Sequence, residues 1–456
     1  MTRPRSPTPR RFDPVLWLAV LTLLASLGQT VMVIRRTAAI DFYHFWLVGE
    51  AVRTEGASDV YGAQARERLG ALFLERAAQP GVGEAQRQAA TKFARLETTG
   101  TPLLYASFAP FLTGDYDEDR QAYNFAALLL FVVLAAALAV RLGYGARATV
   151  LMLVFVLAAY EPVASDVRVG NVNRIQFVLV AAYVLLQWGV GRSERGRHVL
   201  GGVLLGLAGM FKPNLAFVVA ALFAFWVGRG EKTRVLGHVV GLALGALGAF
   251  AASSAFFGTP SVWLWWAEAA ASLTSDFPIR VEDGNFAPAR LLEGVGLALG
   301  PLWSVLWIVA GGALLWLAGR RAAGSGTPLR GAEVLLAASL GGAISLLAAP
   351  LAWLHYYVLA LFLVLWVLRP DAPGVAPRSP GYRAAAVAST ALVSMGPILG
   401  LVLSGEPYGW GTAGNLGLVG LVALGGVDLF GLAREAAAAG LEAMDPVSDA
   451  EGPSLY

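Results

Sequence analysis

The sequence predicts an all-α polytopic membrane protein. Three observations carry this. Of 456 residues, 57% are hydrophobic, only 14% are charged, and the apolar residues gather in runs of membrane-spanning length. Soluble domains average about 45–50% apolar and about 25% charged residues, so a soluble globular chain is excluded. Disorder is excluded as well, because it needs low hydrophobicity and high charge. There is no cysteine, which removes thiol catalysis, iron–sulfur clusters and cysteine-based zinc sites. The net charge is +3. In a membrane protein such an excess reflects topology, and no nucleic-acid partner is expected.

A helical span needs about 20 apolar residues. Runs of this kind lie at 14–34, 121–140, 148–160, 174–190, 198–211, 213–228, 235–257, 291–318, 331–349, 351–368, 384–404 and 412–432, which predicts about twelve transmembrane helices. The runs 148–160, 198–211 and 213–228 are short. The last two meet at Lys212-Pro213, and proline ends a helix at or just before itself.

Charge orients the chain. With a cytoplasmic N-terminus and strict alternation, the cytoplasmic pieces hold 19 of the 34 Lys and Arg. The short outer loops hold five: Arg168, Arg174, Lys212, Arg280 and Arg290. The other ten lie in the long segment 35–120, where the positive-inside rule has little force. Both termini are therefore expected in the cytoplasm. Basic loops flank 198–228 on both sides, which makes that stretch a hairpin or re-entrant pair. The first run lacks an Ala-x-Ala-like cleavage site and reads as a retained span. The expected divisions are a tail at 1–13, a transmembrane domain at 14–432 with an outer segment at 35–120, and an acidic tail at 433–456. No long internal repeat and no soluble domain stand out. Arg-heavy, Lys-poor, Ala/Gly-rich usage fits a GC-rich bacterial genome and hence an inner-membrane protein.

Ionisable groups in or beside spans are costly and are functional candidates by default. Here they converge on the outer side, where a site can reach both lipid and periplasm. Asp41 directly follows the first span in Ile40-Asp41-Phe42-Tyr43-His44-Phe45-Trp46. It is either the cap of the helix that follows or a general base. That helix has apolar residues at Phe42, Phe45, Trp46, Gly49 and Val52 and closes near Gly56. A polar helical run follows at 64–78. The run Thr101–Phe111, which contains Tyr105, is too short to span and reads as interfacial or re-entrant.

In Gly170-Asn171-Val172-Asn173-Arg174, the two Asn are helix caps or ligands of sugar hydroxyls, and Arg174 is a candidate phosphate ligand. Lys212 sits at the break between two half-length runs. It either snorkels to the interface or binds phosphate. Only three Lys occur in the chain, and the other two lie in hydrophilic stretches, which favours phosphate. His355, in Ala349-Pro350-Leu351-Ala352-Trp353-Leu354-His355-Tyr356-Tyr357, belongs to an aromatic belt, donates to a phosphate oxygen or acts as a proton carrier. No metal-ligand motif and no Gly-x-x-x-x-Gly-Lys-Ser/Thr loop occurs.

These residues, together with Val60-Tyr61-Gly62 and Gly202-Val203-Leu204-Leu205-Gly206-Leu207-Ala208 leading to Lys212-Pro213, resemble the bacterial polyprenol-phosphate-mannose-dependent mannosyltransferases. Those are integral membrane glycosyltransferases of the GT-C superfamily. The resemblance runs over roughly 15–430, in the same order. It implies a GT-C fold and an acidic base in the first outer segment, which is Asp41 here. It also implies a lipid monophosphate donor, with no soluble nucleotide sugar and no metal. The chain departs from the family at Thr101-Pro102-Leu103-Leu104-Tyr105, where Tyr-Pro-Pro is usual. It departs at Gly170-Asn171-Val172-Asn173, where Gly-Gln-x-Asn is usual. It departs again at Asn285-Phe286-Ala287, where Asn-Gln-Ser is usual. These departures bear on the sugar and the acceptor.

The expected activity is transfer of a sugar, mannose by resemblance, from polyprenyl phosphate to a lipid-linked or cell-envelope glycan acceptor. Asp41 serves as base, and inversion at the anomeric carbon is expected. Lys212, His355, Arg174, Asn171 and Asn173 are assigned to the donor. Tyr43, His44, Tyr105 and Asn285 are assigned to the acceptor or the interface. The alternative is a secondary transporter or flippase, which the Lys212-Pro213 break favours. The one-sided clustering of charge opposes it. A noncatalytic scaffold would not need the convergent polar set.

Overall fold

The computed structural model describes residues 13–94, 96–188, 194–276, 280–323, 331–371, 377–403 and 407–444; these are helical with connecting loops, and no strand occurs among them. The first helix, α1 (Pro14–Arg36), starts where Asp13 accepts hydrogen bonds from the backbone N–H groups of Val15 and Leu16 at 3.1 Å. Its 23 residues reach about 34 Å, enough to cross a bilayer. Trp17, Leu18, Leu21 and Leu24 stand exposed on one side, as a lipid-facing helix requires.

A sharp turn through Ala39, whose φ is 49°, leads into α2 (Ile40–Glu55). Gly56 closes α2 at φ 60°, a left-handed conformation that glycine adopts without strain. Three more short helices complete the segment before the next long one: α3 (Ala63–Ala77), α4 (Glu84–Lys92) and α5 (Pro102–Phe108), the last followed by a 3-10 turn at Ala109–Phe111. Thr101 caps α5 by accepting from the Leu104 N–H at 3.1 Å. The segment has its own aromatic core. Phe42 and Phe45 of α2 meet Phe108, and Trp46 lies edge-on to Phe73. The Trp46 indole donates to Asp119 at 3.0 Å, which ties α2 to the next long helix.

That helix is α6 (Tyr116–Arg141), followed by α7 (Ala146–Ala158), α8 (Glu161–Val169) and α9 (Asn173–Gln187). The run at 148–160 is thus α7 continued as α8 after a 54° bend. Next come α10 (Glu194–Phe211), a 3-10 turn at Pro213–Leu215, α11 (Ala216–Arg229) and α12 (Lys232–Phe257), so the chain breaks at Lys212-Pro213. Then follow α13 (Val262–Asp276), α14 (Pro288–Gly294), α15 (Pro301–Ala322) and α16 (Gly331–Ala348). A 3-10 stretch at Leu354–Ala360 leads into α17 (Leu361–Val367), and α18 (Pro380–Leu403) and α19 (Pro407–Met444) end the described chain.

Each of the twelve apolar runs overlaps a helix among the described residues. Two boundaries differ. The run 291–318 joins the end of α14 to α15 across a turn, because Gly296 and Gly300 take positive φ values of 85° and 44° before Pro301 starts the helix. The tail expected from 433 is helical through Met444, since its Ala-rich sequence favours helix. Residues 1–12 and 445–456 lie outside the described residues. By length and apolarity alone, six helices among the described residues can each cross a membrane (α1, α6, α12, α15, α16 and 411–432 of α19), or seven if the bent pair α7 and α8 is one span, against the twelve expected from the apolar runs. The chain is a multi-pass membrane protein.

The core helix is α16, which is apolar on every side and buried along its length. Small residues set the closest helix crossing. A Cβ at Gly202 of α10 would lie 2.8 Å from the Gly241 Cα of α12, and one at Gly241 would lie 2.0 Å from the Val199 carbonyl oxygen. Glycine there lets two backbones touch. Gly241→Val is therefore expected to lower the melting temperature in detergent, with an overpacking cost of about 1–3 kcal/mol. A Cβ at Gly248 on the same helix meets nothing within 4 Å, so Gly248→Val should melt like the wild type. Equal melting of the two variants in a thermal-shift assay would contradict this packing.

Candidate active site

Four chain breaks meet at one place: the start of α2, the loop between α8 and α9, the break after α10, and the 3-10 stretch after α16. Each brings one polar residue: Asp41, Asn171, Lys212 and His355. Asp41 is not a cap. The cap position of α2 is Ala39, and the Asp41 side chain makes no capping bond. It sits in the first helical turn, where the N-terminal dipole favours an anion.

The Asp41 carboxylate accepts from Asn171 Nδ2 at 2.7 Å, and its Oδ2 lies 3.6 Å from His355 Nε2. Its side chain keeps 21% exposure, so an external molecule can reach it. Burial pushes its pKa from 3.8 up to about 6. The Asn171 hydrogen bond and the Lys212 charge oppose that rise, and the Asp166 charge adds to it. A carboxylate in this range is ionised at neutral pH and remains basic enough to take a proton.

Asn171 is held in turn. Its Oδ1 accepts from the Val172 N–H at 2.7 Å and from Asn173 Nδ2 at 3.1 Å. Asn173 also donates to Asp166 Oδ1 at 2.9 Å. Asp166 Oδ2 takes Arg174 Nε at 2.6 Å, and both side chains have zero exposure. The other Arg174 nitrogens donate to Asn124 of α6, at 3.2 Å to its carbonyl and 2.6 Å to its Oδ1. With each guanidinium nitrogen bonded and the side chain sealed from solvent, Arg174 holds the loop rather than offering itself to a ligand. The same chain of bonds sets Asn173 behind Asn171, away from the opening, and neither Asn caps α9, whose cap residue is Val172.

Lys212 lies over the Tyr356 ring, its Nζ 5.2 Å from the centroid. Its charge reaches Asp41 and His44. The His355 ring stands parallel to Trp353, at 6.4 Å between centroids, with Tyr356 edge-on at 5.0 Å.

The remaining assigned residues lie deeper. Tyr43 is completely buried and stacks on Trp46 and Phe93. His44 is buried beside Phe45, and Tyr105 is buried with its hydroxyl accepting from the Gly100 N–H at 3.1 Å. Asn285 ties two loops together. Its Nδ2 donates to the Pro350 carbonyl at 3.1 Å, and its Oδ1 accepts from the Ala352 N–H at 3.0 Å.

Two features carry no assigned role in the sequence reading. The first is Asp166, whose position seven and eight residues before Asn173 and Arg174 is the signal that could pair them. The second is an apolar groove of about 570 Å³ along α10, α11, α12 and α13. Gly209, Met210 and Pro213 line it on either side of Lys212, and Trp263 and Trp266 face them. Among the described residues, no group of three or more His, Asp or Glu is placed to hold a metal ion.

Residues 99–350 match glycosyltransferase family 87. No curated protein and no solved structure matches the chain. The match covers more than half of the sequence, including the loop of Asn171, the Lys212 break and the groove helices, within an all-helical polytopic architecture of GT-C type. The chain belongs to glycosyltransferase family 87, a family of membrane glycosyltransferases.

Proposed function

We propose that this glycosyltransferase moves a sugar, with mannose the first to test, from a polyprenyl phosphate to a lipid-linked or cell-envelope glycan acceptor. The outer membrane face is the proposed side. The observation that carries the reading is a reachable carboxylate, Asp41, that feels a lysine charge at the edge of an apolar groove. A base, a cation and an apolar channel are what a lipid-phosphate donor needs.

In the proposed reaction Asp41 takes the proton of the acceptor hydroxyl. The freed oxygen attacks the anomeric carbon from the face opposite the phosphate. A new C–O bond forms as the bond to the phosphate oxygen breaks, and polyprenyl phosphate leaves with the electron pair. The phosphate is a stable anion, so no general acid is needed, and cationic and N–H groups suffice to hold its growing charge. Lys212 and His355 take that part. Arg174 and Asn173 act through Asn171, fixing the loop that presents Asp41. One in-line displacement inverts the anomeric centre. The groove takes the isoprenoid chain, with Lys212 at its polar end.

Purified protein in lipid, given radiolabelled polyprenyl-phosphate mannose and a crude membrane-lipid extract, is expected to make a labelled glycolipid. Asp41→Asn should bind the donor yet transfer about 10²–10⁴-fold more slowly, the usual contribution of a positioned base. Equal transfer by both proteins would remove Asp41 as base. Labelled lipid crossing the bilayer without acceptor would point to a flippase instead.

Gly209 tests the groove. Gly209 lines the groove and a Cβ there meets nothing within 4 Å, so Gly209→Trp puts an indole into the groove from an uncrowded backbone position. The KM for a long-chain donor should rise about tenfold or more, because each buried methylene contributes about 0.8 kcal/mol. A two-isoprene donor should keep its wild-type KM. An equal effect on both donors would place the chain elsewhere.

A further inference from the structure

Asn171 stands between the two groups nearest the proposed reaction. Its amide orientation is over-determined. Oδ1 accepts from the Val172 N–H at 2.7 Å and from Asn173 at 3.1 Å, while Nδ2 donates to the Asp41 carboxylate at 2.7 Å. Reversing the amide would set its NH₂ against two donors and its oxygen against an anion. The second Nδ2 hydrogen faces His355 Nε2 at 3.3 Å. A nitrogen facing an amide NH₂ must accept, so the proton of a neutral His355 ring sits on Nδ1. His355 Nε2 is 3.6 Å from Asp41, too far for a hydrogen bond, so the two do not form a proton-sharing dyad. Nδ1 has no hydrogen-bond partner among the described residues and is not sealed from solvent. Trp353 and Tyr356 fix the ring plane.

We propose that Asn171 is a positioning residue that holds His355 in the Nδ1–H tautomer, so that His355 serves as an N–H donor to the leaving phosphate and Asp41 is left as the sole base. The catalytic part rests on the function proposed above. The tautomer itself follows from the hydrogen bonds alone. The division of labour has a physical reason. A histidine free to accept at an exposed nitrogen would compete for the acceptor proton and lose its hydrogen bond to the phosphate. One amide prevents both, because the same NH₂ group occupies the accepting nitrogen and one carboxylate oxygen.

Solid-state nitrogen NMR of histidine-labelled protein in lipid reads the tautomer directly. The chain has four histidines, and the spectrum of His355→Gln assigns the signal by difference. The wild type should show a neutral His355 protonated at Nδ1. Asn171→Leu should give mixed tautomers and lower kcat by about 100-fold, the scale of one lost transition-state donor, with little change in KM. Asn171→Gln keeps an amide NH₂ and should restore the single tautomer and most of kcat. A wild-type His355 protonated at Nε2, or a tautomer unchanged in Asn171→Leu, would overturn the proposal. If Asn171→Leu fails to fold, the wild-type spectrum alone decides. An Nδ1–H tautomer in an enzyme that accepts no lipid-phosphate donor would count against the function and not against the positioning.

Discussion

Arg174 is sealed from solvent, so its charge must be met inside the protein. Asp166 meets it at 2.6 Å, and Asn124 accepts one hydrogen bond from each of the two terminal guanidinium nitrogens. A buried ion pair gains little over apolar residues of similar volume, but removing one partner costs about 3–5 kcal/mol. That is a large share of the about 5–15 kcal/mol that separates folded from unfolded domains. The pair therefore pins the turn between α8 and α9, with Gly170 at φ 70° where a Cβ would strike Ala39 at 2.7 Å. From that pinned turn Asn171 reaches across to Asp41, 130 residues earlier in the chain.

The site is a balance of opposed electrostatic influences. Burial is the largest influence on Asp41 and raises its pKa. The Asn171 hydrogen bond and the Lys212 charge hold the rise to about 6. The result is a carboxylate that is ionised at neutral pH but not so stabilised that it refuses a proton. The break at Lys212-Pro213 belongs to the same design. An unbroken helix from α10 into α11 would turn this lysine with its helix instead of leaving it over Tyr356. The groove beside it is apolar because nothing there has to bind charge. Asp41 on α2, Asn171 in the loop between α8 and α9 and His355 in the 3-10 stretch do not line that groove.

Much of this was legible in the sequence. Hydropathy locates the helices, since a bilayer demands long apolar runs. Proline located the break at Lys212, and alternation set Asp41, Asn171, Lys212 and His355 on one face. Depth was not legible. Tyr43, His44 and Tyr105 share that face yet lie in the aromatic core of the 40–111 segment, because sidedness says nothing of burial. Arg174 looked like a phosphate ligand because a lone arginine in a loop carries no sign of its partner. Asp166 is one helix away, and only the fold shows the pair closed. The α15 start was misplaced because glycine and leucine at 291–300 keep hydropathy high through a turn.

The central claim is that Asp41 acts as base with a pKa set by burial, Asn171 and Lys212. The direct measurement is the pH dependence of kcat/KM, which reports ionisations of the free enzyme. The rate should fall as pH drops through about 6, where Asp41 takes up its proton. In Lys212→Met a charge that lowers this pKa is gone, so the acid limb of the residual activity should move to higher pH. An acid limb near the ordinary 3.8 of an aspartate, or one that ignores Lys212, would contradict the account.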